Sequence, residues 1–138
     1  MTKFVMAILA IQALGGLYQV GVLMTATSPH STARASRLPD LLVFSHAMLG
    51  GLAAALWLGQ LFTGNDAYAW ATLVVVLLSV GGGMIMFVKT EFEPDTIGRT
   101  TLDPADARVA EKQIPKTALH AHGLGAAVLV VSVLVVAL

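Results

Sequence analysis

Apolar positions fall into four unbroken blocks, 4–26, 41–62, 67–88 and 117–138, and every charged residue lies outside them. Each block is close to the ~20 residues a helix needs to cross a bilayer core. In hydrocarbon the backbone must satisfy its own hydrogen bonds, and the blocks lack the in-and-out alternation of an outer-membrane barrel, so they predict helices. The fold expected is all-α: one integral membrane domain over 1–138, a four-transmembrane-helix bundle with short connections and one longer cytoplasmic connection before the last helix. The first block is as long as a full span and is followed by charged residues rather than a small-residue cleavage site, which predicts a retained helix, not a signal peptide.

Composition agrees with the pattern. Apolar residues make up 57% and charged residues 12% of the chain, about half the charged share usual in a soluble domain. Arg34 and Arg37 lie in the first connection and Lys89, Arg99, Arg108, Lys112 and Lys116 in or beside the third, whereas the second, T-G-N-D, has no basic residue. The positive-inside rule then predicts a multi-pass protein of the cytoplasmic membrane with both charged connections inside and both termini outside. A formal net charge of zero argues against a nucleic-acid partner. With no cysteine, disulfides, thiolate-bound zinc and cysteine-ligated iron–sulfur clusters are excluded.

Within the connections, Asp40 after Pro39 predicts an N-cap for the second span. Asp103-Pro104 predicts the start of a short surface helix reaching about Gln113, ended by Pro115. Trp57, Tyr68 and Trp70 fit an aromatic belt at the outer boundary.

Polar residues inside the blocks carry the candidate chemistry. Counting inward at about 1.5 Å per residue puts His46 and His122 each roughly 7–8 Å below the cytoplasmic boundary. Gln19 and the run Gly81-Gly82-Gly83 fall near the same level. Gly50 and Ala53 share a stripe with His46, and Gly125 and Ala126 with His122, and small residues mark helix–helix contacts in membranes. His122 is therefore expected inside the bundle. His120, about 200° away around the helix, is expected near the headgroups. Gln12, Gly15, Gly16 and Gln19 give the first helix a small, polar inward face.

Two imidazoles at one depth on different helices, with glycine beside them, meet the needs of a b-type haem: an axial nitrogen on each side, close backbone, and cations near its carboxylates. His46 and His122 are the candidate metal ligands. Gln19, Gly50, Gly82 and Gly125 complete the candidate cofactor site, with Arg37 and Lys116 facing the carboxylates. Met48, Met84 and Met86 offer a copper alternative, because thioethers suit Cu(I). The same histidines also serve a purely structural reading, as hydrogen-bonding groups between helices.

The stretches F-S-H-A-M-L-G-G and H-A-H-G-L-G-A-A, with A-E-K-Q-I-P before the second, resemble small, mostly uncharacterised four-helix membrane proteins of high-GC bacteria. More loosely, one early histidine in each of two spans resembles membrane b-type cytochromes and haem-binding four-helix units of the haem A synthase kind. The resemblance implies a haem-bearing bundle. The chain carries no second histidine set toward the other side, which implies at most one haem, used for electron transfer rather than haem chemistry. Two functions follow: a small redox subunit that could exchange electrons with quinone, or a non-catalytic accessory subunit of a larger respiratory-type membrane complex or homo-oligomer. A transporter is disfavoured because no span carries an internal charge.

Overall fold

The computed structural model describes residues 1–26, 33–93 and 108–138. Four long helices dominate it: α1 (Thr2–Ala26), α2 (Asp40–Thr63), α3 (Asp66–Phe92) and α4 (Lys116–Ala137). All four are long and apolar enough to cross a membrane. The chain is a multi-pass four-helix bundle. Each helix packs on two neighbours in the ring order α1, α2, α3, α4, which leaves α1 opposite α3 and α2 opposite α4. The termini and the α2–α3 turn share one end; the first and third connections share the other.

Local chemistry sets the helix ends. Gly64 ends α2 in the left-handed region, at φ 65°, and its N–H donates to the Gln60 carbonyl at 2.9 Å. Asn65 then caps α3 by accepting from the Ala67 N–H at 3.0 Å. At the start of α2 the expected cap is corrected: Pro39 is the N-cap and Asp40 the first helical residue, with no side-chain bond to the free amides. α3 runs four residues past the apolar block, to Phe92, and its last turn is pinned by Lys89 Nζ donating to Glu93 Oε1 at 3.2 Å.

The connection end is tied together by short elements. β1 (Ala33–Ala35) pairs in parallel with β2 (Arg108–Val109), and a 3-10 turn (Ala110–Gln113) leads through Pro115, the N-cap, into α4. The surface helix expected up to Gln113 is thus, where described, an extended pair followed by one 3-10 turn; Asp103 and Pro104 lie outside the described residues. Glu111, 1% exposed, accepts the Arg37 backbone N–H at 3.1 Å and locks the first connection onto the third.

Burial divides the bundle into three levels. Toward the termini, an apolar core joins Val5 and Leu9 of α1, Ala53 and Trp57 of α2, Leu73 and Val76 of α3, and Leu129 and Val133 of α4. Buried hydroxyls there bond within their own helices, Thr72 to the Tyr68 carbonyl and Ser132 to the Val128 carbonyl. At the connection end, Leu38, Thr90, Val109, Ala110, Ile114 and Leu119 form a buried cap. Between core and cap, none of residues 10–25, 41–52, 77–89 and 120–128 is buried. The middle level holds many small side chains.

One aromatic expectation is corrected. Trp57 is fully buried, and its indole N–H donates to the Thr2 carbonyl at 2.9 Å, so it anchors the start of α1 rather than joining a lipid-facing belt. Tyr68 and Trp70 are exposed.

Candidate functional site

His46 and His122 each stand six residues inside their helices, about 9 Å from the starts of α2 and α4. Those helices are opposite one another in the ring, and the two imidazoles meet across it with centres 6.1 Å apart and planes at 68°. The rings lie in this middle level. On the other diagonal stand glycines. A Cβ on Gly83 of α3 would come within 3.1 Å of His46 Cε1, and one on Gly15 of α1 within 3.3 Å of His122 Nδ1. Gly16 also borders the His122 ring. The layer is thus built from two rings on one diagonal and missing side chains on the other.

The two rings are held differently. His46 Nδ1 lies 2.9 Å from the Ser79 carbonyl and 3.1 Å from Ser79 Oγ. A carbonyl only accepts, so Nδ1 carries the proton, and in the neutral ring Nε2 keeps its lone pair. Such a bond is the usual support behind a metal-binding histidine. His122 is fixed through its backbone: Gln12 Nε2 donates to the His122 carbonyl at 3.0 Å, with its amide lying across Gly125. His122 Nδ1 itself is buried and has no hydrogen-bond partner among the described residues, and neither has Gln19 Nε2. A buried polar atom without a partner is costly.

The remaining sequence candidates distribute as follows. Gly125 is in the site, beneath Gln12, whereas Gly82 packs on Leu42 and it is the next residue, Gly83, that touches His46. Gly50 is exposed with nothing near it, so it does not accompany His46 inward. Gln19 sits one turn nearer the cap than Gly15 and Gly16, because α1 overhangs the start of α4 and its Leu23 reaches Ala110 of the cap. Arg37 and Lys116 are engaged by carboxylates: Arg37 Nη1 lies 3.3 Å from Glu93 Oε2, and Lys116 Nζ lies 2.8 Å from Glu91 Oε1. Met48, 74% exposed, and Met84, 58% exposed, point away from the histidines. His120 is exposed and packs on Phe87 of α3, with ring centres 5.6 Å apart.

Whether these residues suit a haem can be judged from the donors. Ring centres 6.1 Å apart with planes at 68° are an edge contact between the two imidazoles. In this level His122 Nδ1 lacks a hydrogen-bond partner among the described residues. Imidazole is the donor type that would hold a b-type haem, and His46 and His122 are the residues that would supply it. Among the described residues no three histidine or acidic side chains cluster as a small-ion site. No protein family, curated protein or solved structure matches this chain.

Proposed function

We propose that this protein is a small membrane redox subunit in which His46 and His122 hold one b-type haem for electron transfer. The observation that carries the reading is the meeting of two imidazoles from opposite helices, 6.1 Å apart, beside glycines of the other two helices. A haem bound there would supply reversible one-electron transfer. The protein's own groups supply the rest. Ser79 holds His46 with its Nε2 lone pair available, Gly15, Gly16 and Gly83 leave room for the rings, and core and cap close the level at both ends. Exposed apolar side chains surround all four helices and suit lipid contact; quinone in that lipid is a chemically matched electron partner.

A second reading draws on one bond. His46 to Ser79 already joins α2 to α3, as an interhelical hydrogen bond would in an accessory subunit with no cofactor of its own. An absorption spectrum of protein purified with ample haem separates the two. A Soret band that shifts on reduction, lost with either His46→Ala or His122→Ala, supports the redox subunit; a colourless protein leaves the accessory reading.

A further inference from the structure

We draw no further inference here: the strongest candidate, the exposed stripe of small residues Ala47, Gly51 and Ala55 along the outward face of α2, is a small-residue stripe alone, and nothing in the structure shows what covers it.

Discussion

Placing a methyl group at Gly83 tests the packing of the histidine layer. A Cβ there would stand 3.1 Å from His46 Cε1, inside the ordinary 3.4–4 Å contact range, and the ring is tethered to Ser79. Overpacking of this kind costs about 1–3 kcal/mol, while replacing glycine by alanine within a helix returns about 0.8–1 kcal/mol. Gly83→Ala should therefore be roughly neutral to about 2 kcal/mol less stable. Gly50, with nothing within 4 Å, is the control, and Gly50→Ala should gain up to about 1 kcal/mol. The comparison isolates the ring contact, because both substitutions lie within spans and change the same atoms. Reversible unfolding in mixed micelles, followed by tryptophan fluorescence, measures each. In a His46→Ala background the Gly83→Ala penalty should vanish, since the contacted ring is gone. Equal effects at Gly83 and Gly50, or a penalty that survives His46→Ala, would refute the proposed layer.

Other outcomes follow from single bonds and from topology. Trp57→Phe removes the indole bond to the Thr2 carbonyl and leaves a smaller ring in a fully buried site, and should cost about 1–3 kcal/mol in the same unfolding assay. Glu111→Gln retains an acceptor for the Arg37 N–H and should be tolerated; Glu111→Ala leaves that donor unanswered and should cost about 1–3 kcal/mol, checked by melting in detergent. Reporter fusions at either terminus should read the outer side and one inserted near residue 100 the inner side, the reverse pattern overturning the orientation. Extraction in mild detergent should recover the protein in a larger assembly, and recovery only as a monomer in several detergents would count against partnership.

Much of the fold was legible because membrane spans are written in long apolar runs. The four blocks predicted the four helices to within a few residues at every end, and α3 overran its block because a Lys89–Glu93 pair carries a helix past its apolar part. The histidine layer was legible too, since His46 and His122 stand equally far inside helices that begin at the same end. Rotation and overhang were not. Depth counted from the end of α1 placed Gln19 beside the histidines. That helix projects into the cap, so Gly15 and Gly16 occupy the level instead. Choosing Gly83 over Gly82, or turning Gly50 outward, depends on how neighbouring helices rotate against each other, which apolar periodicity cannot fix when a helix is apolar all round. Trp57 read as a belt residue because its type and depth suit one; only the Thr2 carbonyl, distant in sequence, explains its burial. The pairing of Arg37 and Lys116 likewise depends on carboxylates brought close by the third connection.

The most direct test of the haem site is the reduced-minus-oxidised spectrum of the purified protein beside His46→Ala, His122→Ala and His120→Ala. The account predicts a low-spin b-type spectrum that is lost with either of the first two substitutions and retained with the third, whose ring packs on Phe87 outside the layer. A colourless protein, or equal dependence on His120 and His122, would contradict it.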